Sequence, residues 1–254
     1  MRILVTNDDG IHAPGLETLE RIARSLSDDV WIVAPESEQS GASRSLTLAD
    51  PIRFRKIDEK RFEVVGTPVD CVVMAVRKIM PGGPDLVLSG VNRGQNLADD
   101  VTYSGTIAAA MEGTALGFRS MALSQVTGVF NEHGHSYDVA EAHGPQIVRR
   151  LIDFDPGPGV LININFPDCR PEEVQGFEVT RQGKRDQNLL LLDERVDARG
   201  RPYYWFGFKR EAGEAPAGTD LRAVFDKQIS VTPLHMNLTQ TAAMEALRAA
   251  LERQ

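Results

Sequence analysis

The chain has 254 residues, 42% of them hydrophobic and 25% charged, enough to bury a sizeable core in one large domain. Its formal net charge is −8 and no basic tract interrupts it, which excludes non-specific nucleic-acid binding of the kind that needs many phosphate contacts. With only Cys71 and Cys169 a disulfide framework is excluded, and the apolar runs are far too short for a membrane span.

The first strand is expected at residues 3–6, a β-branched apolar run, and Asn7-Asp8-Asp9-Gly10 follows at its carboxyl end. In open α/β sheets ligands bind in the crevice outside the carboxyl ends of strands. Two adjacent carboxylates repel each other, so holding them there is costly without a cation, and a hard divalent ion with oxygen ligands would offset that cost. The alternative is that Asp8 or Asp9 caps the next helix or shapes a turn. With the strand starting at once there is no signal-peptide pattern, so a soluble, cytoplasmic protein is expected.

Pro14 suits a first helical turn, and Leu16, Leu19, Ile22, Ala23 and Leu26 give that helix an apolar face. Residues 30–34 read as the second strand, ended by Pro35 and followed by a polar loop that contains Ser40-Gly41. Residues 53–56 and 62–65 suggest a short antiparallel pair. Gly66-Thr67-Pro68-Val69-Asp70 is a helix start, with Thr67 as N-cap, Pro68 at N1 and Asp70 where the dipole favours an acid. Residues 85–89 form a central strand, and Gly90-Val91-Asn92-Arg93-Gly94-Gln95-Asn96 is a Gly/Asn turn region. An Ala-rich helix spans 107–118, a strand 121–124 and a helix 137–151, which Gly144-Pro145 would kink or split; a further strand covers 160–165. This alternation implies a doubly wound, mostly parallel α/β sheet.

After about Cys169 the texture changes to mixed charges with Gly and Pro, around an aromatic strand at Tyr203-Tyr204-Trp205-Phe206. A β-rich extension with hairpins is expected there, as an oligomer contact or a lid, followed by a terminal helix at 240–252. Residues 1–175 are thus the expected catalytic core, and 176–254 an extension of the same domain.

Four segments place small polar groups at strand ends or helix starts: Asp8-Asp9, Ser40-Gly41, Asn92 with Asn96, and Ser104-Gly105-Thr106. A turn signal explains any one of them, but in a parallel sheet all four loops lie on one edge and can converge. Ser104-Gly105-Thr106 resembles an anion site, because helix-start N–H groups and two hydroxyls point outward and Gly105 allows close approach; an ordinary N-cap is the alternative. Asp8, Asp9, Ser40 and Asn92 would form an all-oxygen ligand set suited to Mg²⁺, Mn²⁺ or Ca²⁺ rather than Zn²⁺. His12 either polarises substrate or lies at the surface, and His133 and His135 read as solvated. There is no phosphate-binding P-loop sequence, and no Gly-x-Gly-x-x-Gly follows the first strand, so a dinucleotide cofactor is not expected.

The segments RILVTNDDGIHAPGL, VAPESEQSGASRSLTL, GTPVDCV, PDLVLSGVNRGQNLADDVTYSGTIAAAMEG and VTPLHMNLT, in this order, resemble the SurE family, the stationary-phase survival proteins that are metal-dependent 5′/3′-nucleotidases. The likeness runs nearly end to end and is loose only around residues 182–210. It implies a Rossmann-like fold with an extended hairpin and a C-terminal segment used in homodimers or homotetramers. It implies one divalent cation per subunit, Mg²⁺ or Mn²⁺, held by Asp8, Asp9, Ser40 and Asn92, and a phosphate site lined by Asn96, Ser104, Gly105 and Thr106. The expected activity is hydrolysis of nucleoside monophosphates, with Asp8 and Asp9 as catalytic carboxylates. Two rivals remain on residues alone: a phosphatase with an aspartate nucleophile, and a nucleotide- or anion-binding protein without turnover.

Overall fold

The computed structural model describes residues 1–127, 137–185, 190–208 and 215–252. His133 and His135 lie outside the described residues.

Strand β1 (Arg2–Thr6) lies inside the sheet, and its alternation builds two cores at once. Ile3 and Val5 point to one side of the sheet, where α1 (Pro14–Arg24) and α4 (Asp138–Leu151) pack together. Leu4 points to the other side, into a cluster with α2 (Pro68–Met74) and Ala109 of α3 (Gly105–Ala115). All three side chains are fully buried. Each such burial contributes roughly 1.5–3 kcal/mol, so a strand apolar on both faces is stable only in the middle of a two-sided sheet.

Around β1 the parallel neighbours are β2 (Asp29–Pro35) and β5 (Leu86–Arg93). Beyond β2 lie β4 (Arg61–Val65), parallel to it, and β3 (Arg53–Asp58), the expected antiparallel partner of β4. Beyond β5 come β6 (Arg119–Gln125) and β7 (Val160–Phe166), both parallel. β11 (Ile229–His235) then adds antiparallel to β7, and the short β8 (Phe177–Val179) closes the nine-stranded sheet. Pro233 falls past the end of β8, where one side of β11 is unpaired, the position at which a strand tolerates a residue without an N–H. This is the mostly parallel, doubly wound α/β architecture read from the alternation of the first half of the chain.

Three local expectations differ from what is observed. Residues 90–93 are not a turn: β5 runs on to Arg93 after its register with β6 shifts between Ser89 and Asn92. Gly90 makes this continuation possible, since a Cβ there would lie 2.1 Å from the carbonyl oxygen of Leu123. Pro145 does not split α4, because Val139 and Ala140 before it and Ile147 and Val148 after it are buried in the same core cluster, and that packing outweighs one missing hydrogen bond. The Ala-rich helix begins two residues earlier than expected, at Gly105.

Hairpin strands β9 (Leu190–Val196) and β10 (Pro202–Phe208) form a separate two-stranded sheet, with Tyr204, Trp205 and Phe206 exposed. α6 (Thr241–Glu252) is exposed along its whole length, and α5 (Asp220–Phe225) precedes β11. Among the described residues no helix is long and apolar enough to cross a membrane.

The capping box at Thr67 and Asp70 also secures the loop that follows β2. Buried Asp70 accepts from Thr67 N–H at 2.8 Å and, from that loop, Thr47 N–H at 3.0 Å and Thr47 Oγ1 at 2.6 Å. Asp70→Ala leaves these donors unpaired and is expected to destabilise the fold by about 2–3 kcal/mol, seen as a lower urea midpoint with an unchanged m-value.

Candidate active site

Asp8 stands two residues past the end of β1 and is 5% exposed. Its carboxylate is held from α3: Thr106 Oγ1 donates to Asp8 Oδ1 at 2.5 Å. Gly105 lies so close that a Cβ would sit 2.8 Å from Asp8 Cβ and 2.9 Å from Oδ2. Any side chain at position 105 would displace the carboxylate. The Asp8 carbonyl accepts from Gln39 N–H at 2.8 Å, which brings the loop after β2, with Ser40, against the end of β1. Asp9 Oδ2 accepts from Arg93 N–H at 3.2 Å, which joins it to the end of β5 beside Asn92. Four loops, distant in sequence, thus meet at the two carboxylates.

The remaining expected donors have settled partners. Asn92 Nδ2 donates to the Gly94 carbonyl at 2.9 Å, so its amide is fixed and Oδ1 is the acceptor it presents elsewhere. Ser40 Oγ donates to Glu38 Oε1 at 2.8 Å, leaving the hydroxyl oxygen able to accept. Ser104 Oγ accepts from Ile107 N–H at 3.0 Å and is therefore the N-cap of α3, while its own proton has no acceptor among the described residues. Thr106 is wholly buried and its hydroxyl serves Asp8.

Asn96 stands apart: no hydrogen bond among the described residues joins it to the carboxylate pair. Its Nδ2 donates to Ser124 Oγ at 2.9 Å, its N–H donates to Asn165 Oδ1 at 2.9 Å, and its carbonyl accepts from Asn163 Nδ2 at 2.8 Å. His12 is exposed. The Arg93 guanidinium lies 3.8 Å from Glu38.

Glu38, Asn163 and Asn165 were not singled out from the sequence. The signal for the two asparagines was present: in Leu161-Ile162-Asn163-Ile164-Asn165-Phe166 the polar residues alternate, which puts both amides on one face of an otherwise apolar strand. Glu38 carried no such signal, since an acid in a polar loop is ordinary.

The electrostatics are those of a site short of positive charge. Burial pushes the Asp8 carboxyl up to about 6, against the Thr106 hydrogen bond, and the neighbouring Asp9 charge pushes the same way. Asp9 is raised as well, chiefly by burial, with the Arg93 N–H opposing. Thr6 Oγ1, Asn7 Oδ1 and Ser89 Oγ are also buried at these strand ends without a partner among the described residues. Among those residues no three His, Cys, Asp or Glu side chains are grouped to hold a metal, so a cation here would be held by two carboxylates and neutral oxygens.

The family model described as Survival protein SurE matches residues 3–189. The chain is 61% identical over 240 residues to the 5′-nucleotidase SurE of Methylobacterium radiotolerans, covering 94% of each protein. The chain belongs to the SurE family. The 5′-nucleotidase SurE of Caulobacter vibrioides is 58% identical over 254 residues, covering 99% of this chain and 96% of that one. The crystal structure of the SurE protein from Aquifex aeolicus matches with a TM-score of 0.84 at 37% identity, over 99% of this chain and 100% of that chain. In this SurE chain the α/β sheet carries the candidate site at the carboxyl end of β1.

The carboxylate charge is felt at Tyr137, whose half-buried phenol is pushed up to about 12 by burial and by Asp9. Both effects disfavour the phenolate, so removing the Asp9 charge must lower the value. Asp9→Asn is expected to move one tyrosine transition toward lower pH in an alkaline ultraviolet titration, and Tyr137→Phe to delete that same transition.

Proposed function

We propose that this protein is a 5′-nucleotidase, a phosphomonoesterase that releases phosphate from nucleoside monophosphates, with a divalent cation at Asp8 and Asp9. The observation that carries this reading is the carboxylate pair in which buried Asp8 packs against the first turn of α3, where Gly105 leaves no room for a side chain, and half-buried Asp9 stands beside it. A phosphate dianion would be repelled by two bare carboxylates, so a site built this way serves phosphate only through a cation. Curated relatives at 61% and 58% identity bear the name 5′-nucleotidase, and the resemblance extends the expected range to 3′-nucleotides.

The donor set fits such an ion. It is all oxygen, two carboxylates and two neutral groups, and the amide of Asn92 is turned by Gly94 so that oxygen rather than nitrogen is presented. Asp8, Asp9, Ser40 and Asn92 would hold it, with Mg²⁺ or Mn²⁺ as the matching hard cations. When bound, the cation supplies Lewis acidity toward a phosphoryl oxygen and toward water. The chain's own residues do the rest. Thr106 and Gly105 fix Asp8, and Arg93 N–H fixes Asp9, so both carboxylates are preorganised. One of them orients the attacking water or accepts its proton. The Ser104 hydroxyl, the Gly105 N–H and the Asn96 side chain bind the phosphoryl oxygens, where the helix N-terminus stabilises negative charge as it develops.

Phosphate release from a panel of nucleoside monophosphates, after EDTA treatment and again with Mn²⁺ or Mg²⁺ restored, tests this directly. Activity should vanish and return, and Asp8→Asn should lower kcat by about 10³-fold or more while circular dichroism is unchanged. Full turnover in proven absence of metal, with an acid-stable phosphoenzyme, would replace the reading with an aspartate nucleophile. Tight nucleotide binding with no turnover under any metal would leave a binding protein.

The protein is further proposed to act as a homodimer or homotetramer through the hairpin β9–β10 and α6. Phe206 is 78% exposed and Trp205 60%, and the exposed terminal helix carries Leu247 and Leu251, apolar surface that is unusual to leave in water. Phe206→Glu is expected to shift the mass measured by light scattering to that of a smaller assembly; an unchanged mass would move the contact elsewhere.

A further inference from the structure

The chain between Asn96 and Ser104 joins two of the residues assigned to phosphate, and its middle is held by groups more than eighty residues away. Ala98 has φ +52°, in the left-handed region that residues with a Cβ seldom occupy. Both of its backbone polar groups are captured from the far end of the chain. Its N–H donates to Asp220 Oδ2 at 2.8 Å, and its carbonyl accepts from Gln182 Nε2 at 2.9 Å. The other Asp220 oxygen, Oδ1, accepts from Gly183 N–H and Leu221 N–H, each at 2.8 Å.

Helix α5 does not explain the presence of this carboxylate. Thr219 is already the N-cap, accepting from Arg222 N–H at 3.3 Å. Asp220 is wholly buried, and burial pushes its carboxyl up against the pull of its three backbone donors. A group that costly to bury persists where its hydrogen bonds fix something else. The neighbouring residues point the same way: Arg185 N–H donates to Asp99 Oδ2 and its Nε to Asp100 Oδ2, both at 2.7 Å, and Ser43 Oγ donates to the Thr102 carbonyl at 2.8 Å.

We propose that Asp220, together with Gln182, is a positioning residue that locks Ala98 in its left-handed conformation and thereby sets where Asn96 and Ser104 stand relative to each other, on the reading above that these two face the substrate phosphate. In Asp220→Asn the side chain retains one oxygen. Turned toward Gly183 and Leu221 that oxygen keeps two donors, and the new NH₂ then faces the Ala98 N–H, donor against donor. Ala98 loses its anchor and relaxes toward negative φ, and the chain to Ser104 moves with it. Glycine occupies φ +52° without a Cβ penalty, so Ala98→Gly lets the segment keep its path without the carboxylate.

The experiment compares steady-state kinetics of the full-length chain, with Mn²⁺ and a nucleoside monophosphate, for Asp220→Asn, Ala98→Gly, the double variant and Asn96→Ala. Asp220→Asn should raise KM and lower kcat/KM about tenfold or more, and the double variant should recover to within about threefold of the parent. Parent-like kinetics in Asp220→Asn, or a loss that Ala98→Gly leaves in place, would overturn the positioning role. If Asp220→Asn does not fold, Gln182→Ala decides: a KM raised about threefold and restored by Ala98→Gly supports the proposal, and unchanged kinetics reject it. Asn96→Ala separates this from the underlying reading. An unchanged KM there removes the phosphate assignment and the proposal with it, whereas a raised KM there beside parent-like Asp220→Asn removes the positioning role alone.

Discussion

A buried carboxylate, Asp8, beside a half-buried one, Asp9, at the end of β1 is the constraint on which the rest of the molecule is organised. Among the described residues no cationic side chain stands against Asp8; its help comes from a hydroxyl and from backbone. A folded chain keeps such a pair only if surrounding structure holds it and a ligand relieves it. The holding is visible. Gly105 gives the carboxylate its space, Thr106 its hydrogen bond, and Arg93 N–H ties down its neighbour. Each of these sits at a strand end or helix start, so the sheet order itself, with β1 between β2 and β5, is what lets them reach.

The same logic extends outward in a second ring. Asn96 is held by β7 through Asn163 and Asn165, the next residues by Gln182 and Asp220, and the segment before Ser104 by Ser43. Amide and carboxylate bonds of this kind add little net stability each, about 1 kcal/mol, but they are directional, and direction is what a site of fixed geometry needs. The strands and helices supply the free energy, and the polar network determines where the loops stand.

How far the sequence alone reached follows from this division. β1, β2, α1 and the start of α2 were legible because each carries a local pattern: a β-branched run, an apolar face at helical spacing, or a Thr-Pro-x-Asp cap. Asp8, Asp9, Ser40 and Ser104 were legible because they stand at the ends of such patterns. Residues 90–93 were not, since Gly and Asn normally signal a turn, and here Gly90 is present so that a strand can pass close to the Leu123 carbonyl. β11 was missed as a member of the main sheet, because its antiparallel pairing with β7 spans a long stretch of chain and leaves no local mark. Glu38 and Asp220 were missed for a related reason: their distant partners, Arg93 for the one and Ala98 for the other, are brought to them only by the fold.

That Thr106 serves Asp8 rather than standing open to solvent changes how the helix start contributes. A hydroxyl engaged with a carboxylate stabilises the carboxylate's charged form, so the first turn of α3 performs two opposite electrostatic tasks within three residues. At Thr106 it supports a negative group of the protein, and at its N-terminus, capped by Ser104, the helix dipole favours a second negative group. Gly105 lies between them, and its missing side chain lets the two regions touch without a wall of atoms. The N-terminal end of α3 and the carboxylates at the end of β1 are therefore parts of one arrangement. A cation set between the carboxylates and a phosphate is the species whose charge matches both sides.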